Sequence, residues 1–190
     1  MMLRKLGFTM IELLIVIAVL GILAVAVLAA INPIEQINRG RDTGSRSDSE
    51  QLLSAVDRFY ASQGYYPWQT GAGDVTHAAL TWTQVTDALP ADTATPAVPI
   101  MEKLSTGGTS ELKTSFVTRV TAATSNPLYI YNRGTQGDST YVCFLPKSGA
   151  FAEEATNRCV DTNGSGLPSD LQPVAATVCG GAAGEMICLP

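Results

Sequence analysis

The residues with chemistry to offer are few, and each stands in a distinct setting. Glu12 opens an apolar stretch in which Leu13 to Ile31 contains no polar or charged residue. A lone carboxylate at membrane depth is costly, so such a residue usually has a partner, the bland alternative being a glutamate solvated at headgroup level. Cys143, Cys159, Cys179 and Cys188 all fall in the C-terminal part and suit disulfides on the exported side of a membrane. Four cysteines allow three pairings. Cys143 with Cys159 and Cys179 with Cys188 close the shortest loops and are the expected pairs. Zinc is the rival use, but no Cys-x-x-Cys occurs, and His77 is the only histidine. Asp161, Asn163 and Ser165 place oxygen side chains at alternate positions before Gly166, and Gln172 stands where an EF-hand loop has its glutamate. Calcium is therefore the one candidate cofactor, weakly held because glutamine offers no bidentate carboxylate. Asn163-Gly164-Ser165 also fits the short N-glycosylation pattern.

Catalytic signatures are missing from the sequence. There is no Gly-x-Ser-x-Gly, no phosphate-binding glycine loop followed by lysine, and one histidine cannot supply a multi-histidine metal site. Glu153-Glu154 reads as a solvated face. The formal charge of -5 argues against nonspecific nucleic-acid binding by the bulk of the protein, leaving only a local basic patch for such contact.

These residues have to be positioned by a small set of elements. Leu13 to Ile31 as a helix spans about 28 Å, close to the ~30 Å of a bilayer core. Arg4 and Lys5 precede it and Glu35 follows it, which keeps the N-terminus cytoplasmic and the C-terminal bulk outside. Residues 32–63 are expected to extend the same helix. Ile34, Ile37, Leu52, Leu53, Val56, Phe59 and Tyr60 recur at three- and four-residue steps. Asn38 to Gln51 is polar with Gly40 and Gly44, so a weak or bent section with a solvated face is expected there. Gly64 and Pro67 stop the helix. Thr81-x-x-Gln84 reads as a capping box opening a short helix through Trp82, Val85 and Leu89. A further short helix follows Ser110. Leu128–Asn132 and Thr140–Leu145 read as a β-hairpin, with a third strand at Ala175–Cys179 or Met186–Leu189. The fold class is α+β.

The N-terminal residues carry a family resemblance. Met1 to Gly7, with Arg4 and Lys5, resembles the short basic leader of type IV prepilins and type II secretion pseudopilins. Gly7-Phe8 resembles their peptidase junction. Phe8-Thr9-Met10-Ile11-Glu12-Leu13-Leu14-Ile15-Val16-Ile17 is similar to the start of the mature helix, glutamate included, and Gly21 matches a recurrent glycine. Phe59-Tyr60 and Gly64-Tyr65-Tyr66-Pro67 resemble the segment that closes the helix in many pseudopilins. Ala29 stands where many pilins have a kinking proline.

The resemblance implies a long N-terminal helix packed on a small antiparallel sheet. It divides the chain into leader (1–7), membrane and assembly helix (8–31), amphipathic continuation (32–63) and outer domain (64–190). It implies cleavage between Gly7 and Phe8, N-methylation of Phe8, and a role for Glu12 in filament assembly. Loss of Arg4 and Lys5 with the leader takes the formal charge from -5 to -7. The expected function is a non-enzymatic filament subunit of a pilus or pseudopilus. The implied partners are further copies, minor pilins, the prepilin peptidase and the inner-membrane assembly platform. The expected location is the inner membrane first, then a periplasmic or extracellular filament. The alternative is a minor pilin serving as a tethered or tip-located binding module for a surface, DNA or an exported protein. A tethered enzyme ranks third.

Overall fold

The structure is a computed structural model describing residues 7–106, 109–181 and 184–190. The leader residues 1–6 lie outside the described residues. The chain divides into two compact units, residues 1–37 and residues 38–190.

In the first unit, α1 runs Met10–Ala30. Met10–Leu28 is long and apolar enough to cross a membrane, and none of that segment is buried in the protein. It is the one such helix among the described residues. The helix expected over residues 32–63 is not continuous with α1. Ile31 is extended (φ -99°, ψ 130°) and ends α1. α2 (Pro33–Gln63) then starts afresh. Asn32 Oδ1 accepts from the Glu35 amide at 3.3 Å. Asn32 is thus the cap, and Pro33 sits at the first helical position, where its missing N–H costs nothing.

In the second unit, α2 continues to Gln63, and Gly64 ends it at φ +77°. The polar stretch Asn38 to Gln51 is neither broken nor a purely solvated face: Asp42, Ser45 and Ser49 are buried. Four strands, β1 (Leu80–Gln84), β2 (Leu128–Asn132), β3 (Tyr141–Phe144) and β4 (Ile187–Leu189), form an antiparallel sheet in sequential order. Thr81–Gln84 is therefore strand, not a capped helix. Pairing with β2 outweighs the local cap signal, and Trp82 stacks on Tyr129 with ring centroids 5.4 Å apart. The helix after Ser110 is present as α4 (Thr114–Thr121), preceded by α3 (Ile100–Leu104). α5 (Gly149–Cys159) follows β3. Ala175–Gly180 is helical (α6), so the third strand of the expected set is the Met186–Leu189 choice, realised as β4.

The period-two alternation of the strands sorts their side chains onto two faces. Leu128, Ile130, Val142, Phe144 and Ile187 share one core with Leu52, Leu53, Val56 and Phe59 of α2. Tyr131, Tyr141, Cys143 and Cys188 share a second, smaller core with Leu171, Val178, Cys159 and Cys179. Each face is thus covered.

Two carboxylates organise the long connections. Asp74 accepts from the Thr70 amide and hydroxyl, both at 3.0 Å, and from the Thr76 hydroxyl. Its carboxyl lies well below the usual range, chiefly through the Thr70 amide and then His77, whose Nδ1 is 2.6 Å away. Asp92 accepts from the Ala94 and Val98 amides and pairs with Lys103 at 2.6 Å.

Candidate processing and assembly site

The site is built by a helix start. Thr9 is the N-cap of α1, extended at φ -82° and ψ 150°. Glu12 Oε2 accepts from the Thr9 amide at 2.9 Å and from the Thr9 hydroxyl at 2.8 Å. In return Thr9 Oγ1 accepts from the Glu12 amide at 3.3 Å. This reciprocal box satisfies two otherwise orphaned donors and sets a negative charge against the positive end of the helix dipole. Gly7 and Phe8 lie just before the cap, outside the helix, with Phe8 85% exposed. A segment outside a helix can enter a protease cleft, whereas a helical one must first unwind. Glu12 therefore has a donor within its own chain, and the junction beside it is accessible. The Ser/Thr-x-x-Glu signature of this box is present at Thr9–Glu12 and could have been read from the sequence.

Residues 2–28 match the family model described as the prokaryotic N-terminal methylation motif. This is the prepilin motif of type IV pilins and pseudopilins. No curated protein and no solved structure matches the chain. The match thus runs from before the helix through Leu28 of α1, and residues 29–190 stand outside it.

The remaining candidate residues lie in the second unit. The cysteines pair as Cys143–Cys188 and Cys159–Cys179, not as sequence neighbours. Sheet register decides it: Cys143 lies directly opposite Cys188 across β3 and β4, with Cα atoms 4.0 Å apart. Cys159 at the end of α5 meets Cys179 of α6 with Cα atoms 5.6 Å apart. Loop-closure cost changes only slowly with length, so the short-loop criterion had little force against geometry.

The Asp161–Ser165 segment is a turn tied by its first carboxylate. Asp161 Oδ1 accepts from the amides of Asn163 (2.9 Å) and Ser165 (3.1 Å). These bonds, the Ser165 amide first, hold its carboxyl below the usual range. Gln172 directs its Nε2 to the carbonyls of Gly164 (2.6 Å) and Leu167 (3.2 Å). Calcium wants six to eight oxygens with several charges, and this turn offers one carboxylate already engaged. Among the described residues, no group of three or more His, Cys, Asp or Glu side chains could hold a metal. The donor set fits calcium poorly.

Glu154 is not idle surface. It pairs with Arg46 of α2 at 2.5 Å and with Arg158 at 2.7 Å. Burial pushes its carboxyl up, but the two guanidiniums outweigh that and hold it below its ordinary value. Arg158 also donates to the Cys188 carbonyl at 3.1 Å. Asp42 is fully buried and receives the Lys147 amide (3.0 Å), the Ser148 amide (2.8 Å) and the Ser148 hydroxyl (2.6 Å). Neither the Arg46–Glu154 pair nor the Asp42 clamp was visible in the sequence, because each joins residues more than a hundred positions apart.

Proposed function

We propose that the chain is a structural, non-enzymatic subunit of a type IV pilus or pseudopilus filament. The prepilin peptidase cuts between Gly7 and Phe8 and methylates the new Phe8 amine. The membrane holds the subunit by α1 until the inner-membrane assembly platform moves it into a bundle of like helices with further copies and minor pilins.

The observation that carries this reading is the state of α1. Its apolar side chains are exposed along the whole length: Leu14 is 63% and Leu28 72% accessible. Such a surface is tolerable only in lipid or against other apolar helices. The one charge on it, Glu12, sits at its start. In a low-dielectric bundle an incoming subunit at the wrong height would leave Glu12, whose Thr9 donors are neutral, and a Phe8 amine without a partner of opposite charge, so the pair selects axial register.

Glu12→Gln tests this. Glutamine serves a capping box as well as glutamate does, so the helix start survives while the charge is lost. The variant should insert, be cleaved to a chain beginning at Phe8 by intact mass, and be excluded from filaments when mixed with wild type. Entry into filaments at wild-type efficiency and equal expression would refute the charge-register mechanism.

A further inference from the structure

The second unit carries a basic pocket at the start of its share of α2. The pocket is about 480 Å³, and its lining includes Arg41, Lys147, Arg119, Asp48, Ser45 and Asn126. Arg119 and Asp48 pair with each other at 2.6 Å. Among the described residues, Arg41 and Lys147 have no carboxylate within salt-bridge distance, and both residues are exposed. The pocket is therefore net positive in a chain whose formal charge is -5.

Its construction is specific. Lys147 is not on a free loop. Its amide is held by Asp42, and its carbonyl accepts from Asn38 Nδ2 at 3.2 Å. These bonds fix the β3–α5 turn to the first turns of α2 in this unit. Arg41 stands ten residues after Ile31, where the apolar run ends, so the chain between them reaches at most about 35 Å. Chain connectivity alone thus confines the pocket to the neighbourhood of the membrane exit. Positive charge on an exported flank works against the bias that orients a single-pass protein, and Arg41 lies close enough to the span to carry that cost.

We propose that this pocket docks the phosphate headgroup of an anionic lipid while the subunit is held in the membrane, with Arg41 and Lys147 as its ligands. The inference rests on the anchored, outward orientation proposed above. The chemistry recognised is a phosphate diester, and the tether supplies it at high local concentration. A headgroup so bound restrains the outer domain on the bilayer, and extraction into a filament releases it.

The test uses the full chain reconstituted in vesicles of phosphatidylcholine, with or without phosphatidylglycerol. Flotation first establishes insertion, and its failure would count against the anchored reading, not against the pocket. Amide hydrogen exchange is then followed at residues 38–48 and 145–149. Phosphatidylglycerol should slow exchange there, with Arg41→Gln and Lys147→Gln each removing roughly fivefold of that protection. Equal exchange in the two vesicles overturns the proposal. Protection in phosphatidylcholine on adding inorganic phosphate would instead make the pocket a free-phosphate site. Protection that rises with protein density regardless of lipid would make it a contact between copies.

Discussion

Removing the Asp42 carboxylate should unfasten α2 from the β3–α5 turn. In Asp42→Ala the Lys147 amide, the Ser148 amide and the Ser148 hydroxyl all lose their acceptor. Ser148 is 1% exposed, so water does not readily replace it. Each buried donor left unpaired costs about 1–3 kcal/mol, and the two Ser148 donors with the partly buried Lys147 amide sum to roughly 3–5 kcal/mol. Asp42→Asn should cost about 2 kcal/mol, because its NH2 must face a donor where one carboxylate oxygen stood. Ser148→Ala removes one donor and the cap of α5, where Ser148 Oγ accepts from the Phe151 amide, for about 1–2 kcal/mol. The Asp42→Ala/Ser148→Ala pair should then cost less than the sum of the two. The assay is urea unfolding of the full chain in detergent, read by Trp68 and Trp82. Both lie in the second unit, so the signal reports that unit. A loss below about 1 kcal/mol for Asp42→Ala, or strict additivity of the pair, would refute the clamp.

Other outcomes follow from the same geometry. Non-reducing peptide mapping should return 143–188 and 159–179 bridges, and by chain entropy their loss should cost about 4 and about 3 kcal/mol for separations of 45 and 20 residues; neighbour-paired peptides would contradict the β3–β4 register. At Asp92, burial pushes the carboxyl up, but Lys103 and the Val98 and Ala94 amides outweigh it and hold it below its ordinary 3.8. A depressed folded pKa gives stability that is present above the unfolded value and lost as pH falls through the folded one. Asp92→Asn should therefore lower Tm at neutral pH and flatten the acid limb below about pH 4, and an acid limb as steep as wild type would exclude Asp92 as its source. Added calcium should leave Tm unchanged, since Asp161 is engaged by two amides; a calcium-dependent rise would show that the ion displaces them.

Periodicity reached part of this fold and failed where partners were distant. β2, β3 and α4 were legible because alternation and three- to four-residue steps are local signals. β1 was misread because Thr81 to Gln84 satisfies a cap pattern as well as a strand pattern, and only the edge of β2 decides between them. The interruption at Ile31–Asn32 has a local signal too: Asn32-Pro33-Ile34-Glu35 is a helix-start pattern, which the apolar run before it masks. Glu12 and its Thr9 box follow from four consecutive residues. The disulfide pairs, Asp42 with Ser148, and Arg46 with Glu154 depend on the β3–α5 turn returning to α2, which no local pattern records.

The connections governed by Asp74 and Asp92 have a consequence for how this protein can vary. Each path is fixed from within, by one carboxylate gathering backbone amides and hydroxyls. The tips, such as Ala72 and Gly73 or Thr95 to Ala97, are exposed and outside both cores. Substitutions there cost the fold little, provided the two aspartates and their immediate donors stay. The chain can thus change the chemical face that these loops present while the scaffold beneath them stays the same.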